Sequence, residues 1–318
     1  MTLPSRRKRP AGIEVLIRPF RNLADYGGCI GIQREVWRVE DIDIVPIATL
    51  LAINHCGGIL LGAYTNLGEM IGFVCSLLGM EHGGLIQHSH MLAVQDAYRN
   101  ADVGYRLKLA QREEALKRKI RVIDWTFDPM QPLNAYFNMG KLGACANTYE
   151  ENFYGETTSA LHRGLPTDRL VARWELDSKP VEKRLDDGPP RRDLRTGLRQ
   201  FEVINALRDV APGMAASSPA RLDCAAEQFL FEVPCNLSDI KNRDLEVAVE
   251  WQGRMRQVFG NYFKKGYAVT DFWISKDRGH LRAFYFLERS VSVFVSSWLA
   301  LRNQYHFYVV LGVKLLFG

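Results

Sequence analysis

The sequence predicts an α/β (α+β) fold, with a mixed central sheet flanked by helices and a smaller α+β lobe after it. In the first half of the chain, short apolar runs alternate with stretches whose apolar residues recur at helical spacing. After Trp174 the composition becomes polar and rich in proline, and a second block of strand and helix patterns follows. With 318 residues and 47% hydrophobic content, the chain is long and apolar enough to form a globular core.

The predicted elements of the first half alternate between strands and helices and are joined by short connections. Asn66-Leu67-Gly68 is a turn signal, so the two strands around it are expected to form a hairpin. These elements predict one domain over residues 12–176. In chain order they are a strand at 13–18, a helix at 24–38, strands at 59–64, 70–78 and 89–94, a helix at 105–119, a strand at 121–126, a helix at 133–141 and a strand at 144–149.

Residues 177–221 are predicted to be a linker or mobile loop, because Pro180, Pro189 and Pro190 stand among charged residues with little apolar surface to bury. A smaller accessory lobe is expected over residues 222–289. Its helix would begin after Ser238 or Asp239 and end at Gly266. The predicted elements of the lobe are a strand at 229–233, a helix at 239–263 and a hairpin of strands 267–274 and 281–287.

The two ends of the chain have unusual compositions. Much of the net charge of +5 lies in the cluster Arg6-Arg7-Lys8-Arg9, within residues 1–11, which we expect to be a disordered basic terminus. No aromatic residues are interleaved with this cluster, so nucleic-acid binding is not predicted. Residues 290–318 are an apolar tail for which the sequence predicts no particular structure. The polar run Arg302-Asn303-Gln304 leaves this tail short of the ~18 unbroken apolar residues of a membrane span.

Six scattered cysteines lack the CxxC spacing, and no apolar secretory leader precedes the body of the chain. This pattern favours a reduced, cytoplasmic protein.

The segment joining the strand at 89–94 to the next helix predicts an anion site. The first N–H groups of a helix have no partner within it and lie at the positive end of its dipole, so a pyrophosphate can bind there. Tyr105, Leu109, Leu116 and Ile120 define the apolar face of that helix. The candidate cofactor-binding residues are Leu92, Ala93, Val94, Arg99, Asn100, Ala101, Asp102, Val103 and Gly104.

This segment and a second motif downstream resemble the Gcn5-related N-acetyltransferase (GNAT) superfamily, whose signature is Arg/Gln-x-x-Gly-x-Gly/Ala at a helix start. The resemblance covers about residues 12–176. The downstream motif is similar to that of an uncharacterised branch of predicted acetyltransferases, and this branch also includes the block around residues 254–287. The matching residues are Leu92, Val94, Tyr98-Arg99-x-x-x-Val103-Gly104, Asp124-Trp125-Thr126-Phe127-Asp128-Pro129, Asn134-Ala135, Asn138, Lys141-Leu142-Gly143-Ala144 and Tyr154-Gly155.

The resemblance implies an N-acyltransferase that uses acetyl-CoA or another acyl-CoA. The pantetheine arm would lie along Leu92–Val94, and the pyrophosphate would bind N–H groups between Arg99 and Gly104. A small-molecule or peptide amine would attack the thioester directly, without a protein nucleophile. A homodimer is compatible with this acyltransferase interpretation. The C-terminal lobe would then be placed to cover the acceptor cleft.

The chain departs from the superfamily signature at three positions of the turn. Asp96 stands where proline is usual, and Asn100 and Asp102 stand where glycines are usual. The Asp102 carboxylate could repel a pyrophosphate, or it could cap the helix by accepting from its free N–H groups. The alternative function is therefore a non-catalytic binding or regulatory protein that keeps the fold with an impaired CoA turn.

Candidate catalytic residues follow from the second motif. Many superfamily members have a tyrosine at the position of Met139, where it protonates the leaving thiolate, and Tyr136 is a possible substitute on the same helix. Asn134 and Asn138 are candidates for hydrogen bonds to pantetheine or the thioester oxygen, with helix capping or solvation as the alternative.

The strand before the turn carries two histidines two residues apart. His88 and His90 are candidate bases or, with Glu81 and His82, metal ligands, although no third ligand stands at a diagnostic spacing. Glu69 and Glu81 are further candidates for the base. Ordinary hydrogen bonding is the alternative for each, and no metal is predicted.

Overall fold

The computed structural model describes residues 14–99, 101–155, 164–190, 193–277 and 280–289. The predicted basic terminus at 1–11, the apolar tail at 290–318 and the candidate cofactor residue Asn100 lie outside the described residues.

A seven-stranded mixed sheet forms the centre of the first half, in the order β1-β2-β3-β4-β5-β7-β6. The pair β4 and β5 is parallel, whereas the other neighbours are antiparallel. This sheet confirms the predicted α/β fold class. Its strands are β1 (Leu16–Pro19), β2 (Ile59–Tyr64), β3 (Met70–Glu81), β4 (Gly84–Val94), β5 (Val122–Phe127), β6 (Tyr149–Glu150) and β7 (Arg169–Glu175).

Helices pack on both faces of this sheet. Because side chains alternate along a strand, neighbouring β3 residues belong to different apolar clusters: Phe73 packs with Cys29 of the first helix, and Val74 with Leu107 of the third. The helices are α1 (Leu23–Trp37), α2 (Ile47–His55), α3 (Val103–Lys117) and α4 (Pro132–Ala135), which continues as a π-helix over Tyr136–Lys141.

The segment between α4 and β6 differs from the predicted strand at 144–149. Cys145 and Ala146 each form a single bridge, to Arg173 of β7 and to Val269 of the C-terminal lobe, so only Tyr149 and Glu150 form a regular strand. The chain changes partner from one residue to the next, which an alternating apolar pattern does not reveal.

Regular structure occupies much of residues 177–221, so the predicted linker is wrong in its secondary structure. Pro180 lies in the first turn of a helix, where its missing N–H costs nothing, and Gly188 ends that helix with φ +73°. Val181 and Leu194 are buried. The elements are α5 (Lys179–Asp187), α6 (Leu194–Gln200), β8 (Glu202–Val203), β9 (Leu207–Ala211) and β10 (Met214–Ser217).

The C-terminal lobe contains a second sheet of four strands, in the order β12-β13-β11-β8. The predicted single helix is divided at Asp244, whose carboxylate accepts from the N–H groups of Glu246 and Val247 and so starts a new helix. The additional elements are β11 (Gln228–Val233), α7 (Leu237–Arg243), α8 (Leu245–Lys264), β12 (Tyr267–Asp277) and β13 (His280–Arg289).

Contacts join the lobe to the first half of the chain. The Tyr285 hydroxyl donates to the Pro129 carbonyl over 2.7 Å, and Tyr149 stacks on Phe259 of α8 with ring centroids 5.6 Å apart. The domain boundaries at 176 and 222 remain a prediction. Within the described ranges, no helix is both long and apolar enough to cross a bilayer.

Candidate active site

The central sheet opens between its two parallel strands. β4 and β5 are paired only at Gln87 with Ile123 and at His88 with Asp124, although β4 continues to Val94 and β5 to Phe127. Past these pairs, the two strands share no ladder. We call the point of separation the fork, formed by His88, Ser89, Asp124 and Trp125. Backbone N–H and C=O groups along the opened edges can bind a ligand in place of a strand.

An extra residue in β4 accompanies this opening. Cys75 of β3 lies opposite Met91, whereas the next β3 residue, Ser76, lies opposite Ser89, so His90 is a β-bulge. A bulge bends its strand and breaks the regular pairing, which contributes to the separation of β4 from β5. Burial, with a smaller contribution from the neighbouring His88, lowers the pKa of His90 to about 4, so the His90 imidazole is neutral at pH 7.

His88 and Asp124 form a hydrogen-bonded pair on one face of the fork. His88 Nδ1 lies 2.8 Å from Asp124 Oδ1. Because a carboxylate accepts, Nδ1 is the nitrogen that carries the hydrogen, which leaves the lone pair on Nε2 whenever the imidazole is neutral. The His88 side chain is 32% exposed, so Nε2 is placed to take a proton from a ligand entering on this face.

Arg173 forms ion pairs with two acidic residues near the His88–Asp124 pair. It lies opposite Asp124 in β7 and forms ion pairs of 2.7 Å with both Glu81 and Glu175. Glu81, a predicted base, is therefore held as the partner of a partly buried guanidinium. Glu69, the other acidic candidate, lies on the exposed turn between β2 and β3. Of the sequence candidates, His88 has the geometry of a base.

The turn before α3 carries exposed charges that pair with one another. Asp96 forms an ion pair of 2.8 Å with Arg99, and both side chains are about half exposed. Asp102 has φ +57°, the left-handed conformation that favours glycine at this place in the signature. Its carboxylate makes no capping bond to the helix and lies 3.4 Å from Lys141 Nζ, so the predicted cap is wrong.

The start of α3 leaves room for a ligand beside β4. A Cβ atom added at Gly104 would meet only Val94 Cγ2, at 3.8 Å. Leu92 and Val94 pack on the α3 side of the sheet, whereas Ala93 packs with the α1 cluster, so only its backbone can face this groove. Val103 is buried, and Ala101 packs against the same core.

α4 forms the opposite wall of this groove. The buried Asn138 donates to Asn134 over 3.3 Å, and Lys141, one turn further, contacts both Asp102 and the Tyr105 ring. The structure thus brings Asn134 and Asn138 to the same wall as Lys141. Tyr136 lies elsewhere, against Gly140, and burial raises its pKa, with Asp271 of the lobe raising it further.

A partly buried arginine contacts the end of α4 and its π-helical continuation. Arg184 of α5 donates to the carbonyls of Met139 over 2.8 Å and Gly140 over 2.6 Å, and it pairs with Asp271 of β12 over 3.2 Å. The predicted linker therefore supplies a contact that joins α4 to the lobe.

Lys108 is a buried residue beside the fork that the sequence patterns did not predict. Its Nζ lies 3.2 Å from Ser89 Oγ, 2.8 Å from Gln111 Oε1 and 3.7 Å from the Trp125 ring centroid. Burial holds the pKa of Lys108 well below its ordinary value, although the Asp124 carboxylate opposes this. The predicted apolar face of α3 was rotated from the observed one, which contains Val103, Leu107, Lys108, Gln111 and Ala115.

The described residues contain no group of three or more His, Cys, Asp or Glu side chains arranged to hold a metal ion. His88 and His90 have tilted rings 6.5 Å apart and do not converge with a third ligand in this part of the chain.

No protein-family model matches the chain, and a search of curated proteins finds no relative. Solved structures do resemble it. The structural neighbours are N-acetyltransferases of the GNAT superfamily.

Three of these neighbours cover about half of this chain and nearly all of their own. The ribosomal-protein-S18-alanine N-acetyltransferase from Escherichia coli is 14% identical over 52% of this chain and 96% of its own, with a TM-score of 0.42. An aminoglycoside 6′-acetyltransferase type Ii is 18% identical over 52% and 99%, with a TM-score of 0.41. A NatC complex bound to Gag peptide and CoA is 14% identical over 51% and 98%, with a TM-score of 0.42.

Proposed function

We propose that the protein is an acyl-CoA-dependent N-acyltransferase, with acetyl-CoA as the first donor to test, that transfers the acyl group to an amine by direct attack. The observation that carries this proposal is the fork. A gap between two parallel strands gives a ligand backbone partners on both sides, and the start of α3 provides N–H groups at one end of the gap.

The two faces of the fork suit the two substrates. Side chains alternate along a strand, so Ser89 and Trp125 lie on the α3 face whereas His88 and Asp124 lie on the other. The donor would occupy the α3 face and supply a thioester carbonyl. The amine would approach from the His88 face, so that both reactants meet where the sheet is open.

Residues of the groove would bind the donor by polar contacts. The β4 backbone at Leu92–Val94 would pair with the pantetheine amides, and Asn134 and Asn138 would add side-chain hydrogen bonds from α4. The N–H groups of Val103 and Gly104 would bind the pyrophosphate, and Arg99 and Lys141 are the nearby cations.

His88 would act as the general base. An amine is protonated at neutral pH and must lose a proton to attack, and Nε2 of His88 has the free lone pair. Asp124 orients the imidazole and stabilises it once it is protonated. The acceptor would be a small-molecule or peptide amine, and we place the protein in the cytoplasm.

The test is acetyl-CoA binding by calorimetry with Gly104→Glu, which puts a carboxylate and a side chain at the start of α3. The matched control is Gly253→Glu, because Gly253 also lies in a helix with open space around it, but in the C-terminal lobe. We expect binding to the native chain and the control, and at least about tenfold weaker binding to Gly104→Glu. Equal affinities for all three, or no binding to the native chain, would contradict the proposal.

The second candidate function is a non-catalytic binding or regulatory protein, and Asp102 is the observation that favours it. Its carboxylate lies beside the proposed pyrophosphate position and forms an ion pair with Lys141. A chain that binds no acetyl-CoA until Asp102 is neutralised would support this candidate.

A further inference from the structure

Lys108 has no task in the proposed transfer, yet it lies at the point where the sheet opens. Its Nζ contacts Ser89 and Trp125, which directly follow the last paired residues, His88 and Asp124. None of the ion pairs among the described residues includes Lys108, although the Asp124 carboxylate opposes the fall of its pKa. A buried lysine without a direct ion pair is costly to keep charged.

We propose that Lys108 is an internal acyl acceptor, which takes an acyl group from acyl-CoA bound at the fork and becomes an Nζ-acyl-lysine. This inference rests on the proposed function, because the fork must first bind the donor. Nζ lies on the α3 face of the sheet, the face assigned to the donor, and contacts Ser89 and Trp125, where β4 and β5 separate.

The step balances without any further reactant. The lone pair of neutral Nζ attacks the thioester carbonyl, the new C–N bond forms, and the C–S bond breaks. The CoA thiolate leaves with the proton that the amine gives up. The products are one amide and one CoA thiol, with no change in oxidation state.

The surroundings of Nζ suit both the reactant and the product. A neutral amine can donate to Ser89 Oγ and Gln111 Oε1, which leaves its lone pair for attack. The amide keeps one N–H for the same acceptors. Its carbonyl can accept from the Ser89 hydroxyl or from the Gln111 amide, which donates to Ser89 Oγ over 3.2 Å.

Two exposed lysines at the C-terminal end of the same helix and just after it provide an internal control. Lys117 and Lys119 are exposed near the far end of α3. Unassisted acetylation by acetyl-CoA in solution favours exposed amines, so it would label these lysines before Lys108. Selective labelling of a fully buried lysine requires delivery by a bound donor.

The experiment is peptide mapping by mass spectrometry after incubation of the full chain with ¹³C-labelled acetyl-CoA. An exposed lysine is neutral in only about one molecule in a thousand at pH 7.4, so we expect at least about tenfold more label on Lys108 than on Lys117. Lys108→Met, which is uncharged and of similar length, should remove this label, whereas Lys117→Met should keep it. If Lys108→Met does not fold, the ratio of label on Lys108 to label on Lys117 in the native chain decides the result.

Calorimetry on the same samples separates the two proposals. Bound acetyl-CoA with label absent from Lys108, or spread evenly over exposed lysines, would overturn the inference and leave the proposed function intact. Failure to bind acetyl-CoA would overturn both.

Discussion

The fork and the turn before α3 handle charge in opposite ways. At the fork, Asp124 and Lys108 are buried and held by defined partners. In the turn, Asp96, Arg99 and Asp102 are about half exposed, and their ion pairs lie at the surface. Exposed pairs are screened by water and salt and contribute little, whereas buried groups depend strongly on their partners. Substitutions should therefore have large effects at the fork and small ones in the turn.

The largest effect is expected for His88→Gln, which removes the proposed base at the fork. We expect kcat/KM for acyl transfer from acetyl-CoA to a panel of primary amines to fall by about 10²–10⁴-fold, with acetyl-CoA affinity unchanged. The control is His55→Gln, since His55 is exposed on α2. An equal loss in both variants, or none in His88→Gln, would remove His88 from the mechanism.

The next effect is expected for Arg184→Ala, which leaves Asp271 buried without this partner and frees two carbonyls of α4. Removal of one member of a buried pair should lower the free energy of unfolding by about 3 kcal/mol. Lys183→Ala is the matched control on the same helix, where an exposed pair with Asp187 should contribute little to stability. Urea unfolding measures both; similar losses would show that the contact with the lobe does not hold α4.

A smaller effect concerns His90 and pH. The folded chain holds its pKa at about 4, whereas the unfolded chain binds a proton near pH 6.5. Since the unfolded state then carries more protons, the free energy of unfolding should fall as pH decreases from about 6.5 to 4.5, by about 2 kcal/mol. His90→Gln should show a correspondingly flatter dependence on pH in urea unfolding, and His55→Gln should not. An unchanged slope in His90→Gln would mean that this histidine is solvated.

The smallest effect is expected in the turn, for Asp102→Asn. Asparagine tolerates the left-handed backbone of Asp102 but carries no charge, so acetyl-CoA should bind roughly fivefold tighter, about 1 kcal/mol. Asp102→Gly, which also removes the side chain, separates charge from bulk. Calorimetry at low and high salt tests the electrostatic origin, because a gain that persists at high salt would contradict it.

Local patterns predicted much of the fold. Strand 59–64 and helix 24–38 have periodic apolar residues and clear boundaries, and the structure places them within a residue or two. The helix at residues 179–187 was not predicted, because Pro180 and Gly188 are residue types that mark loops as well as the beginning and end of helices. Their meaning depends on the buried contacts of Val181 and Arg184, which lie far away in sequence.

The candidate site was predictable only in part. His88 and the turn stood out by residue type and by position between a strand and a helix. Lys108 did not, because a lysine in a helix ordinarily faces water, and its burial follows from Trp125 and Trp174 on two other strands. The pairing of His88 with Asp124 likewise depends on where two strands separate, which no single segment encodes.

The bridge between Ala146 and Val269 has a consequence for how the chain unfolds. Because this bridge and the Tyr285 hydrogen bond to Pro129 join the two sheets, we expect both sheets to unfold together. We therefore expect a single calorimetric transition, with a van't Hoff enthalpy equal to the measured enthalpy. A protease should find no early cleavage site over residues 177–190, and a fragment ending at residue 176 should aggregate rather than refold.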